Sequence, residues 1–380
     1  MSIFGLRIPA LSTALDRPRA LGKRAVKQVA FELAVHGGRL RHPRRRPRVV
    51  VFPSNQPWDA ASNLRAWLVA PELRRRGWRV TVVPEPLNLA QRRRVLKLEQ
   101  PDVVVLQQTR HPLNQPHLYA PVPCVLDADD ADCLDPRHRQ RIARCARDAS
   151  AVIGGNRFIA EQLGQHNPDA SVLWTATPRP RRRSERPPST RGPIVAWAHA
   201  NPFLYEDEAA FVREVLRRLA RRRPFMFWLF GTVPGPAADD YLAPIRAAGS
   251  KGVAVPPMPY PSYLRKVSEA AVGIQPVCTD NPFSRGKSFG KLLAYLAGEV
   301  AVVASDAVDH PLFFRHGDNG LLADGIDSWV EALDHLLTDA EDRARMARTA
   351  YRDFERTLTT EAFARNLEPV LWRAAARGVP

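Results

Sequence analysis

The chain has 380 residues, 45% of them hydrophobic and 25% charged, which is the make-up of a globular protein with material for two cores. No apolar run approaches the ~20 residues of a membrane span, and Cys124, Cys133, Cys145 and Cys278 show no C-x-x-C spacing, which argues against a zinc or redox motif and a disulfide framework and fits a reducing cytosol. The net charge of +17 is concentrated: residues 1–48 hold twelve Lys or Arg against Asp16 and Glu32 and supply ten of those charges.

Residues 1–47 form a basic extension. Within it, 20–40 can be an amphipathic helix, with Leu21, Ala25, Val29 and Leu33 near one face and Lys23, Arg24 and Lys27 elsewhere. Such a helix suits an anionic membrane surface or, equally, docking on its own domain. A cytoplasmic protein peripheral to the inner face of the membrane is the corresponding expectation. Residues 1–11 are too short and wrongly flanked for a signal peptide.

From residue 48 strands and helices alternate. The apolar run 49–52, bounded by Pro53-Ser54-Asn55, predicts a buried strand. A helix over 60–76 follows, ended by Gly77, then strand 78–83, helix 89–98, and strands 103–106 and 122–126. Helix 137–147, strand 151–153, helix 158–163 and strand 171–174 complete the first half. Residues 177–192 are rich in Pro and Arg and read as a linker. The alternation restarts with strand 194–198, helix 206–222, strand 225–230, helix 239–248, strand 253–255, helix 263–269 and strand 271–275. Helix 288–296 and strand 300–304 follow, and the chain is mainly helical from 327 onward. This order predicts an α/β protein of two Rossmann-like domains facing each other across a cleft, 48–176 and 193–359, with a C-terminal helix in 360–380 packing back on the first domain.

Chemistry concentrates where Arg285, Lys287 and Lys291 follow a strand and surround Ser288, a candidate N-cap. Free N–H groups and the dipole at a helix start favour an anion, and three cations add to that, so the segment suits a diphosphate. Position 281 is Asn where a P-loop would begin with glycine, which speaks against that motif. Asp127, Asp129, Asp130 and Asp132 cluster at a strand end, as charge for a reacting centre or as caps and solvated charge. His199 and Gly231 end strands that face the expected cleft, and Asn55 and Trp58 lie in the first strand-to-helix loop. Nucleic-acid binding has no recognition motif in support and is not expected, because the excess charge sits in the extension and the linker.

Around the cationic segment the sequence resembles the group 1 (family 4-like) glycosyltransferases. Residues 281–306, NPFSRGKSFGKLLAYLAGEVAVVASD, are similar to the donor-binding segment of that family, and 315–322, RHGDNGLL, to the hallmark that follows it. PCVLDADD at 123–130 and IVAWA at 194–198 fit the Asp-rich segment and the first strand of the second domain. The resemblance implies a GT-B fold and transfer of a hexosyl group from a nucleotide-diphosphate sugar to a glycan, lipid-linked or other acceptor. It further implies retention of anomeric configuration, no metal and no cofactor beyond the nucleotide sugar. Arg285, Lys287, Ser288 and Lys291 would hold the diphosphate, with Lys287 and Asp129 in catalytic roles. His199, Gly231, Asn55 and Trp58 would contact substrate. Gly286 and Ala294 stand where the family has two Glu residues, and Glu299 and Ala301 replace a glycine and a proline. A catalytically degenerate GT-B binding or scaffold protein is therefore the alternative.

Overall fold

The computed structural model describes residues 46–180, 186–199, 202–287 and 289–377, together with Val29. The expected basic helix and most of the extension lie outside the described residues.

The first domain is a six-stranded parallel sheet in the order β2-β1-β3-β4-β5-β6. Its strands are β1 (Arg48–Phe52), β2 (Arg79–Val82), β3 (Val103–Gln107), β4 (Cys124–Ala128), β5 (Ala151–Gly154) and β6 (Ala170–Val172). The second sheet is also parallel, in the order β12-β11-β10-β7-β8-β9. It consists of β7 (Ile194–Ala198), β8 (Met226–Phe230), β9 (Lys251–Val255), β10 (Val272–Gln275), β11 (Ala301–Ser305) and β12 (Leu321–Ala323). Central strands such as β3, β4 and β11 are buried along their whole length, as continuous apolar runs covered on both faces must be. Each sheet reverses direction once, beside β1 in the first and beside β7 in the second. Loops at the carboxyl ends of those strands are the natural place for a ligand.

The helices are α1 (Ala70–Arg75), α2 (Leu89–Glu99), α3 (Arg139–Asp148), α4 (Arg157–Gly164), α5 (Glu206–Arg222), α6 (Pro236–Ala247), α7 (Tyr260–Val267), α8 (Leu292–Ala297), α9 (His310–Phe313), α10 (Gly325–Thr338), α11 (Ala340–Thr357) and α12 (Thr360–Ala376). Three expectations shift. The helix read over 60–76 is interrupted: a short turn Ala60–Ser62 runs into a π-helical turn Asn63–Trp67, and α1 starts only at Ala70. Pro71 has no N–H for the ladder, so a continuous helix would break here. The helix read over 288–296 begins at Leu292, after 3₁₀ turns over Pro282–Gly286 and Phe289–Lys291. The linker is anchored where it nears the second domain: Arg343 donates to the carbonyls of Pro188 and Ser189, and Arg191 donates to those of Gly298 and Glu299.

The last helix crosses back. Phe363, Leu367, Val370, Leu371 and Ala374 of α12 join the core made by β1, β3 and α1. Both chain crossings meet at one point, where Thr177 N–H donates to the Leu358 carbonyl and Thr360 N–H to that of Thr177. No described helix is long and apolar enough to cross a membrane.

Candidate active site

In the second domain α5 opens with three acids, Glu206, Asp207 and Glu208, which suit the positive end of a helix. Glu208 is turned inward and only 2% exposed. Its carboxylate accepts from Ser284 Oγ at 2.9 Å and the Cys278 N–H at 3.3 Å, and it pairs with Lys287. The Lys287 ammonium lies over the Tyr205 ring at 4.1 Å, and that of Lys291 over the same ring at 5.7 Å. Burial lowers the Lys287 pKa against the opposing pull of Glu208. Lys291 has no ion pair among the described residues, and burial, reinforced by the charge of Lys287, pushes it down to about 7. Two ammonium groups thus share one aromatic ring beside one carboxylate, a positive centre poised for an anion.

Arg285 does not join them as the sequence led one to expect. It is exposed, and its Nε donates to the Thr279 carbonyl at 3.1 Å. Ser288 lies outside the described residues, and the helix it was expected to cap starts four residues later. Gly286 and Ala294 acquire physical reasons. A Cβ on Gly286 would stand 2.4 Å from Ala131 Cβ, so a glutamate there has no room against the first domain. Ala294 is 2% exposed in the core under α8 and reaches no cleft. His199 is buried, its ring 4.8 Å from that of Tyr205. Gly231 has φ +82°, a left-handed conformation that favours glycine. It borders a cavity of about 310 Å³ with Phe203, Thr232 and the first turn of α6.

Across the cleft the Asp-rich segment is sorted by its partners. Asp127 forms a buried, two-pronged ion pair with Arg65, whose Nη1 also donates to Leu173 O and Thr175 Oγ1. Asp127 is therefore structural. Asp130 and Asp132 both pair with Arg110, at 2.8 and 2.5 Å. Asp129 is 9% exposed and accepts from Gln108 Nε2. Burial first, and the charge of Asp130 second, raise its carboxyl to about 7. Gly155 makes this approach possible, since a Cβ there would lie 2.7 Å from Asp129 Cα. Asn55 N–H donates to Ser62 Oγ, and Trp58 is 76% exposed in the same loop. Among the described residues no group of three or more His, Cys, Asp or Glu is placed to hold a metal ion.

The two halves meet through the start of α4 and the loop before α9. Asn156 Nδ2 donates to the carbonyls of Arg285 at 2.9 Å and Lys287 at 3.1 Å. Asp309 accepts from Arg157 N–H at 3.0 Å, Arg157 Nε at 3.1 Å and Trp174 Nε1 at 2.7 Å. Trp174 also packs on Phe289, ring centroids 4.7 Å apart. The sequence reading missed Glu208, Tyr205, Gln108, Arg110, Asn156 and Asp309. Only Glu208 carried a signal, as an acid at the start of a predicted helix, and that signal looks the same for a solvated acid.

Residues 210–368 match the model of the glycosyl transferase-like family. No curated protein sequence matches the chain. Among solved structures, HepE from Anabaena in complex with UDP and glucose superposes with a TM-score of 0.60 at 13% identity, covering 86% of this chain and 99% of that one. Sucrose-phosphate synthase from Thermosynechococcus elongatus gives 0.62 at 12% identity, with 87% and 100% covered. A glycosyltransferase from Rickettsia africae gives 0.66 at 9% identity, with 87% and 99% covered. Two parallel six-stranded domains, the family match in the second of them and these superpositions agree: residues 210–368 fall within the glycosyl transferase-like family, and the chain has the GT-B fold of the group 1 glycosyltransferases that its sequence resembles.

Proposed function

We propose that the protein transfers a hexosyl group from a nucleotide-diphosphate sugar to a glycan or lipid-linked acceptor, with retention of configuration and without a metal or cofactor. The observation that carries this reading is the pair Lys287 and Lys291 stacked on Tyr205 in the family-matched domain, opposite the Asp129 carboxyl. The donor diphosphate binds at the lysines. As the bond from the anomeric carbon to the diphosphate oxygen breaks, the electron pair stays on that oxygen, and the two ammonium groups stabilise it where charge develops. The acceptor hydroxyl bonds to the anomeric carbon on the face the diphosphate leaves, its proton passes to the departing diphosphate oxygen, and the Asp129 carboxylate, whose pKa lies near 7, stabilises the positive charge that develops on the sugar. HepE was solved with UDP and glucose, which supports a nucleotide sugar as donor here. The basic segment 1–47 lies against an anionic membrane in this reading, close to a lipid-linked acceptor.

The decisive experiment is turnover by the full chain on a panel of UDP-, GDP-, ADP- and dTDP-sugars, with Lys287→Ala alongside. Release of nucleotide diphosphate that Lys287→Ala abolishes supports the reading. A wild-type protein that binds these donors without turning any of them over favours the degenerate alternative, for which Gly286 and Ala294 speak. Failure to bind or hydrolyse any donor overturns the transfer reading, and turnover that Lys287→Ala abolishes overturns the degenerate one.

A further inference from the structure

Asn156 sits where the first domain touches the loop that carries the lysines. It is fully buried and has two separate jobs. Its Oδ1 accepts from the Ile159 N–H at 2.9 Å and caps α4. Its Nδ2 donates to the carbonyls of Arg285 and Lys287, the two residues that flank Gly286. Gly286 itself presses on Ala131, two residues after Asp129 in the same Asp-rich segment. A single carboxamide thus fixes the backbone on both sides of a close approach between the domains, immediately before the Lys287 side chain. Asp309 makes the reciprocal contact by accepting from the Arg157 N–H at the start of the same helix.

We propose that Asn156 is a positioning residue for the donor diphosphate: its amide ties the 285–287 backbone to the first domain, so that the Lys287 and Lys291 pair is assembled only while the two domains are closed. The proposal rests on the nucleotide-sugar reading above for its ligand but not for its geometry. Two backbone hydrogen bonds from a buried donor are lost when the domains part, and the loop has no described side chain of its own domain that replaces them at those two carbonyls. Nucleotide binding and closure are then one equilibrium, with the donor favouring the closed form.

Asn156→Asp separates the two jobs. Aspartate caps a helix as well as asparagine does, but it offers an oxygen to two carbonyl oxygens and cannot hold the loop. The test uses the full chain and two measurements. The first is hydrogen exchange of the 279–287 backbone without ligand, compared with that of α4. The second is titration with UDP, GDP and ADP. The expected result for Asn156→Asp is faster exchange in 279–287 with α4 protection retained. Affinity for whichever nucleotide the wild type binds should fall about tenfold, the equivalent of one to two hydrogen bonds. At saturating donor, kcat should fall less than KM rises. Unchanged exchange in 279–287 overturns the proposal, whether or not a nucleotide binds. Faster exchange with unchanged affinity overturns its link to the donor. A wild type that binds no nucleotide sinks the donor reading, while the exchange result still decides whether Asn156 holds the loop. Asn156→Ala, which loses the cap as well, should exchange faster in α4 too; exchange in 279–287 that rises for Ala but stays at the wild-type rate for Asp would show that the cap alone matters and overturn the proposal.

Discussion

The two walls of the cleft are charged in opposite senses and held in opposite ways. On the first domain each of the four carboxylates of the Asp-rich segment has a partner: Arg65 for Asp127, Gln108 for Asp129, and Arg110 for Asp130 and Asp132. On the second, only Lys287 has a carboxylate, Lys291 rests on an aromatic ring, and Arg285 reaches one carbonyl. The acids are built into the fold, whereas the cations are left with unspent capacity. A wall whose charges are satisfied contributes position, and one whose charges are not contributes affinity.

Breaking the satisfied wall should cost most in stability. Arg65→Met leaves Asp127 buried without its counter-ion, and loss of about 3–5 kcal/mol is expected in denaturant unfolding. Breaking the unsatisfied wall should cost function instead. Lys291→Met should lower turnover on the productive donor by about 10²–10³ while the unfolding midpoint stays equal or rises, because a poorly solvated ammonium is removed. If the midpoint falls steeply, Lys291 belongs with the structural charges. Gly286→Ala tests the seam between the walls. Its methyl would meet Ala131, and about 1–3 kcal/mol of stability should be lost together with nucleotide affinity.

Titration sharpens the contrast further. Lys291, facing Lys287, Glu208 and Asp130, is lowered from 10.5 to about 7. The unfolded chain therefore holds a proton that the folded one lacks between those values, so this group makes stability rise with pH across that window. Asp129 is raised from 3.8 to about 7, so the folded form holds the extra proton and this group makes stability fall as pH rises from 3.8 to 7. Activity that needs ammonium at Lys291 and carboxylate at Asp129 should give a bell centred near neutrality. Asp129→Asn should remove the acid limb and Lys291→Met the alkaline one, measured as kcat/KM against pH. The smallest effect belongs to Trp58→Ala: within about 0.5 kcal/mol in stability, since the side chain is 76% exposed, with a change only in acceptor KM.

The fold was legible because parallel strands buried on both faces read as unbroken apolar runs, such as 49–52, 103–106 and 301–304, set between helical periods. Lys287 and Lys291 were legible as cations beside an expected helix start and again through the resemblance of 281–306. The partners were not, because they come from distant parts of the chain. Glu208 lies 79 residues before Lys287, and Asn156 lies 131 before it. Nothing local distinguishes Gln108 from any other strand-end glutamine, and its importance comes from a left-handed φ of 51° and a neighbour in β4's loop. The helix start was misplaced for the complementary reason: Ser288 and Lys291 satisfy local preferences, whereas packing of Phe289 against Trp174 and Phe313 sets where regular helix begins.

The return of α12 to the first domain has a consequence for biosynthesis. Five of its apolar side chains complete the core between β1, β3 and α1. A ribosome releases residues 48–176 long before it releases 360–376, so the domain that emerges first must wait, with an open apolar face, until the second has been made. A nonsense mutation just after residue 359 would leave the second domain nearly complete and strike the first instead.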